Sequence, residues 1–547
     1  MNQTQPAQGP RKYIFLAAVT AFMVIVSACG SPGNSVSPAV PATPVIRSSV
    51  KINTFTPSPV SVQVNTSSEA GQNASQVPWV YALVAPFPTV TDGVTSDELH
   101  LAWTEGTVPA AFSGHPLYMD ESTLSALTAL WGQPASGLVQ VVAADRLLET
   151  AWSELGSWAI IPFEELQPKW KVLTVDGQSP IRKGFDLAKY PLVAYVDPQS
   201  RSASNYDPSK VTTIIMTGVT ALVRATAYTM ELKSVTYPGE NIRNIMREAD
   251  IAHISNEIPF YTGCTFPKPD QAALVFCSDP KYIDLLTDVG TDVVELTGNH
   301  FADRGAAGMR ETIDIYKAKG LPYFGGGLDL QDSLKPALFE INGNKIAFIG
   351  CNKPDVNRFP TATDFKPGAA PCDFDYLTHK INQLKAEGYV VVSTFQWNES
   401  YDAIPSPQQV KDFQLMAESG ASIVSGSQAH YAQKMEFYKD AFIHYGLGNM
   451  FFDQMGDQSW MPRGIRRVFL DRYVIYEGRL ISVELIPAMM EDYSRPRPMT
   501  EAERPGFLQE YFSYSGWLPA VPTPTATITP TLTPMALPPL MTATPTP

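Results

Sequence analysis

From Val211 onward the chain alternates apolar strand-like runs with helical stretches, and this alternation most narrows what it can fold into. Strands separated by helices build a sheet with helices on its faces, because each strand face and each helix stripe must bury against the other. Residues 211–217 read as a buried strand. Asp279-Pro280 reads as a helix start, with the carboxylate capping and proline placed where no backbone N–H is needed, leading into 281–289. A strand follows at 292–296, a helix at 306–319, then strands at 345–350 and 390–395. Ser406-Pro407 opens another helix, and 422–424 is a further short strand. Ligand crevices in such sheets form beyond the carboxyl ends of the strands.

The two ends of the chain have a different character. Arg11 and Lys12 precede an apolar run at 13–26, followed by Val26-Ser27-Ala28-Cys29. A basic start, an apolar core and small residues at a cleavage point read as a secretory signal. The run is shorter than the ~20 apolar residues a spanning helix needs, although a plain transmembrane anchor is the alternative. The residues before Cys29 are similar to a bacterial lipobox, which implies lipid on Cys29 and residues 1–29 as a lipoprotein signal peptide. Residues 30–76, rich in Ser, Pro and Thr, read as a disordered tether, and 518–547 as a Thr/Pro-rich low-complexity tail. The expected location is extracytoplasmic, on the cell surface, with the membrane as partner through the lipid.

Between the tails lie two regions. Residues 77–206 mix strands (139–143, 158–162, 192–196) with helical stretches such as 147–155. They read as a smaller α/β domain, faintly similar to a lobe of periplasmic solute-binding proteins, with a purely structural domain as the alternative. Residues 207–517 form the second domain. A content of 44% hydrophobic and 11% aromatic residues is that of a folded protein, and the net charge of −14 excludes a nucleic-acid binder, since no Lys/Arg cluster offers phosphate neutralisation. Besides Cys29 the chain has Cys264, Cys277, Cys351 and Cys372. In an oxidising compartment these read as two disulfides; sequence proximity favours Cys264–Cys277 and Cys351–Cys372 among three connectivities, and zinc is the weaker reading without any C-x-x-C spacing.

Six segments at strand ends carry chemistry: Met216-Thr217-Gly218-Val219, Ser255-Asn256-Glu257, Gly298-Asn299-His300, Gln396-Trp397-Asn398-Glu399, Gly426-Ser427-Gln428-Ala429-His430 and Tyr445-Gly446-Leu447-Gly448-Asn449-Met450-Phe451-Phe452-Asp453. His253 and His444 fall outside them and are expected to flank strands. The aromatics Phe395, Trp397, Tyr401, Tyr431, Phe437 and Tyr438 read as core or as the lining of a glycan or polymer cleft.

In order and spacing these segments resemble the CapA-type family of poly-γ-glutamate capsule synthesis proteins, within the calcineurin-like metallophosphoesterase superfamily. GNHFADRGAAGMRET at 298–312 is close to the family's N-N-H-x-x-D-x-G-x-x-G-x-x-x-T, and HYGLGNMFFD at 444–453 to its Y-S-L-G-N-F-x-F-D. Phe324-Gly325-Gly326-Gly327 and Tyr514-Ser515-Gly516-Trp517 also fit, so the resemblance spans 211–517. It implies a four-layer α/β/β/α metallophosphoesterase-like sandwich. It also implies two divalent metals at the strand ends that activate water, with Asn binding metal and His acting as acid.

The departures cluster at ligand positions. The family's G-D is Gly218-Val219 here, its H-W-G-x-E-Y is Gln396-Trp397-Asn398-Glu399-Ser400-Tyr401, and its G-x-H-x-H is 426–430 with Gln428 in place of a histidine. Valine has no lone pair, and a neutral amide is a poorer ligand than imidazole. Glu257, Asn299 and His430 remain as candidate metal ligands and His300 as the candidate acid. A two-metal site needs roughly three to four protein ligands per ion, so one divalent ion (manganese, zinc or iron) or none is expected rather than two. Three functions are compatible. The first is a surface lipoprotein in capsule, poly-γ-glutamate or other envelope-polymer biosynthesis or handling, with a partly degenerate site and with polymer or capsule-assembly proteins as partners. The second is an active hydrolase or transferase on a phosphoester or γ-glutamyl bond. The third is a solute- or glycan-binding lipoprotein acting through 77–206.

Overall fold

The computed structural model describes residues 76–197, 203–353, 361–456 and 464–519. Cys29, the signal and nearly all of the tether and Thr/Pro tail lie outside the described residues. None of the helices among the described residues is long and apolar enough to cross a membrane.

Two sheets face each other between outer helices. In the first, Tyr323–Phe324, Val293–Glu295, Ile251–Asn256 and Val211–Met216 run parallel in that order, followed antiparallel by Arg467–Tyr476, Arg479–Glu491 and Arg495–Pro498. In the second, Asn344–Asn352, Tyr389–Ser400, Ile423–Ala429 and Ala441–His444 are parallel, edged by Ala337–Ile341 and Met435–Tyr438. Ile214, Ile251, Val293, Phe348, Val392, Phe442, Phe469 and Tyr473 fill the space between the sheets. Gly305–Lys319 covers the outer face of the first sheet, and Phe374–Ala386 and Pro407–Glu418 cover that of the second. The fold is therefore the expected α/β/β/α sandwich. Pro407–Glu418 begins as its sequence predicts: Pro407 stands in the first turn, and the Ser406 hydroxyl accepts the Gln409 N–H at 3.2 Å.

His253 lies inside the strand Ile251–Asn256 and His444 ends the strand Ala441–His444, and each meets a buried carboxylate. His444 Nδ1 is 2.6 Å from Asp471 Oδ2, joining the two sheets, and Tyr473 donates to the same oxygen at 3.0 Å. His253 Nε2 is 3.2 Å from Glu295 Oε2 on the neighbouring strand. Burial opposes the Glu295 charge, but bonding and charge from His253, with the Thr297 hydroxyl, hold its carboxyl below the usual carboxylate range. Both disulfides, Cys264–Cys277 and Cys351–Cys372, form as expected.

The N-terminal sheet has Val77–Pro86 between Trp158–Pro162 and Trp170–Val172, with Val193–Val196 also on it. Its core continues into the sandwich through Val474, Tyr476 and Ile481. Beyond the strand Val77–Pro86 the chain is clamped from both sides. Lys171 Nζ donates to the Thr89 and Val90 carbonyls (2.8 and 3.1 Å) and pairs with Asp92 at 2.8 Å. Arg504, on the C-terminal helix Arg504–Tyr514, reaches the Val90 carbonyl at 2.8 Å and Asp92 at 2.6 Å. Phe87 enters the sandwich core and meets Trp517 edge-on at 5.5 Å, while Trp517 stacks on Phe437 at 5.4 Å. The closing Tyr-Ser-Gly-Trp segment thus fastens the two regions together.

Burial pulls the Lys171 amine down to about 8 against the opposing charge of Asp92. Its folded value lies below its unfolded one, so between the two the unfolded chain binds more protons and this group's contribution to stability rises with pH. The stability difference between wild type and Lys171→Gln, measured by calorimetry, should therefore move in favour of wild type as pH rises from 8 towards 10.

Candidate functional site

The motif segments meet because their glycines let backbone touch backbone. A Cβ on Gly218 would stand 1.9 Å from the Gly448 carbonyl oxygen, and one on Gly298 would stand 2.2 Å from the Glu257 carbonyl oxygen. Side chains at either position would force the strand ends apart. Val219–Thr220 then runs parallel to both Ile251–Asn256 and Asn449–Phe451, which draws three of the six segments into one seam.

Beyond this seam opens a cleft of about 630 Å³ lined by Glu257, His300, Gln428 and His430. Asn299 lies behind them, its Oδ1 accepting from Gln396 Nε2 at 3.3 Å. His300 Nδ1 is 2.8 Å from Asp303 Oδ2, three residues along, and that oxygen also accepts the Phe276 N–H at 2.6 Å. This bond orients the imidazole and selects which ring nitrogen carries its proton. His430 Nδ1 bonds Asn449 Oδ1 at 2.8 Å, and the network continues from Asn449 to Gln454, Tyr401 and Glu399 at 3.0, 3.0 and 2.6 Å. The Tyr401 phenol is pushed up, first by burial, then by its bond to Glu399 and that residue's charge, with Glu257 adding to the effect. Of the aromatics singled out in the sequence, Tyr401 lines the cleft, whereas Phe395 and Trp397 belong to the core under the second sheet.

Three functional features escaped the sequence. Arg224 grips Asp453 with both arms of its guanidinium, Nε at 3.0 Å from Oδ2, and lies over the rings of Phe276 and Phe452 at 5.2 and 5.5 Å. Asp453 closes a recognisable motif, but nothing around Arg224 marks it. Asp303 was visible in its motif at the spacing that meets His300, yet without a role. Finally, Arg224 and Gln428 both have left-handed backbones, φ 44° and 72°, and both line the cleft. Such non-glycine conformations cost about 1–3 kcal/mol and persist where surrounding contacts over-determine them.

The donor set does not fit the two-ion centre that the resemblance implies. Val219, in the position of the family's aspartate, is buried with no donor atom. Gln396 Nε2 bonds Gln428 Oε1 as well as Asn299 Oδ1, and Gln396 Oε1 accepts from the Ser427 hydroxyl, so these amides are tied into a protein network. Among the described residues no three His, Cys, Asp or Glu side chains are grouped closely enough to hold an ion. What remains is a single carboxylate, Glu257, only 2% exposed, whose Oε1 has no hydrogen-bond partner.

A strand-end cleft on a four-layer α/β/β/α sandwich is what these six segments build. Residues 213–454 match the family described as bacterial capsule synthesis protein PGA_cap. It is 30% identical over 224 residues to the capsule biosynthesis protein CapA of Bacillus anthracis, covering 40% of this chain and 53% of that one. It is also 30% identical over 178 residues to the PGA biosynthesis protein CapA of Bacillus subtilis, covering 32% and 47%. The chain spans about half the length of these relatives. The NAD nucleotidase of Haemophilus influenzae overlaps 54% of each chain at 11% identity with a TM-score of 0.32, too loose to carry any inference.

Asp303→Ala leaves the Phe276 N–H and His300 Nδ1 without their shared acceptor. The expected result is a loss of about 1–3 kcal/mol in chemical denaturation, together with faster hydrogen exchange at the Phe276 amide.

Proposed function

We propose that this protein is an envelope lipoprotein, held outside the cytoplasm by lipid on Cys29, that handles capsule, poly-γ-glutamate or another envelope polymer by binding rather than by two-metal hydrolysis. The single observation that carries the binding role is the Gln396–Gln428 pair: two positions that the family fills with histidine are closed on one another. Two-metal attack on a phosphoester needs a bridging anionic ligand and several donors per ion. With Val219 in the first motif, Glu257 is the only carboxylate left at the family's ligand positions.

His300 and Asp303 retain the orientation of an acid, and Glu257 retains a carboxylate beside them. In this reading they shape and polarise the cleft. Assembly proteins are partners of the same reading, reached from the tethered domain.

Metal analysis of the purified full chain, with hydrolysis of bis(p-nitrophenyl) phosphate in parallel, tests this. We expect less than one equivalent of manganese, zinc or iron and no hydrolysis above background. Two equivalents, with activity abolished by His300→Ala, would overturn the binding role. The triple substitution Val219→Asp, Gln396→His and Gln428→His should raise the metal content towards two equivalents, because it restores a charged ligand and two imidazoles to the same seam.

A further inference from the structure

The charges around the cleft are lopsided. Glu257, Asp270, Glu399 and Asp453 line it, against one guanidinium, Arg224, which is already engaged with Asp453. A polyanion laid along this surface would meet carboxylates of its own sign. Glu257 is different in kind from the other three. It is 2% exposed, its Oε1 is sealed from solvent and finds no donor, and the residue lines the cleft. A buried carboxylate left without a donor is costly, and a cation with N–H groups to give removes that cost.

The surroundings suit an ammonium better than a metal ion. No second carboxylate or thiolate joins Glu257 and a histidine as a ligand group among the described residues. Aromatic faces are present instead. Phe276 and Phe452 already carry the Arg224 guanidinium, and Tyr401 packs on His430 with ring centroids 5.6 Å apart. Tyr401 and Glu257 line the same cleft.

Resting on the reading of this cleft as a binding site, we infer that it seats a primary ammonium group against Glu257 and so takes its polymer by an amino end rather than along an anionic backbone. The test is calorimetric titration of the full chain with 1,4-diaminobutane, with an oligo-γ-glutamate bearing a free amino terminus, and with the same oligomer N-acetylated. The free-amine oligomer and diaminobutane should bind, and acetylation should abolish oligomer binding. Glu257→Gln should weaken both roughly tenfold or more, as expected for removing a charge-assisted bond. Glu399→Gln alters an exposed residue and leaves the fold intact, and should weaken them to a lesser degree. Equal binding of both oligomers would overturn the ammonium site while leaving the polymer reading standing. Glu257-dependent binding of diaminobutane with neither oligomer bound would support the ammonium site and remove the polymer. Affinity for the amines unchanged in both variants, or tight binding of manganese chloride lost in Glu257→Gln, would overturn the proposal.

Discussion

Backbone contact at the strand ends is the constraint on which the site depends. With Gly218 against the Gly448 carbonyl and Gly298 against the Glu257 carbonyl, strands distant in sequence end side by side with no room for a Cβ. Glycine brings no side-chain contact of its own. What it supplies is proximity, and proximity places Glu257, His300, Gln428 and His430 on one cleft. The left-handed backbones of Arg224 and Gln428 are held in the same frame, Arg224 by its grip on Asp453.

The sheets beneath are joined by buried polar pairs as well as by apolar packing. His444 and Asp471 meet across the inter-sheet core, both wholly buried, and Tyr473 donates to the same carboxylate oxygen. Polar groups at such depth cost desolvation that their bond only partly recovers, whereas leaving either partner alone would cost more. His253 and Glu295 repeat the arrangement within the first sheet. These histidines serve the architecture, and the contrast with His300 and His430 is one of place: the latter two face the cleft.

Attachment of the N-terminal region follows similar logic with longer side chains. Lys171 and Arg504, more than 300 residues apart, converge on the backbone of Thr89 and Val90 and on Asp92. Phe87 and Trp517 add an apolar anchor beside them. The N-terminal region and the sandwich therefore share one packed interface.

The sequence by itself determined the order of strands and helices from Val211, the capped start at Ser406-Pro407, and the residues at the strand ends. Periodicity and capping are local, so they can be read one window at a time. It also marked Val219, Gln396 and Gln428 as departures from the motifs the chain resembles. The strand Tyr389–Ser400 runs further than its apolar run suggested, through Gln396 and Trp397, since a hydrogen-bonded ladder continues where hydrophobic alternation stops. Only the tertiary structure decided that Gln396 and Gln428 bond each other, that Arg224 closes on Asp453 across 229 residues, and that one oxygen of Glu257 is left without a donor. Those facts depend on distance in space between residues far apart in the chain, which no local pattern encodes.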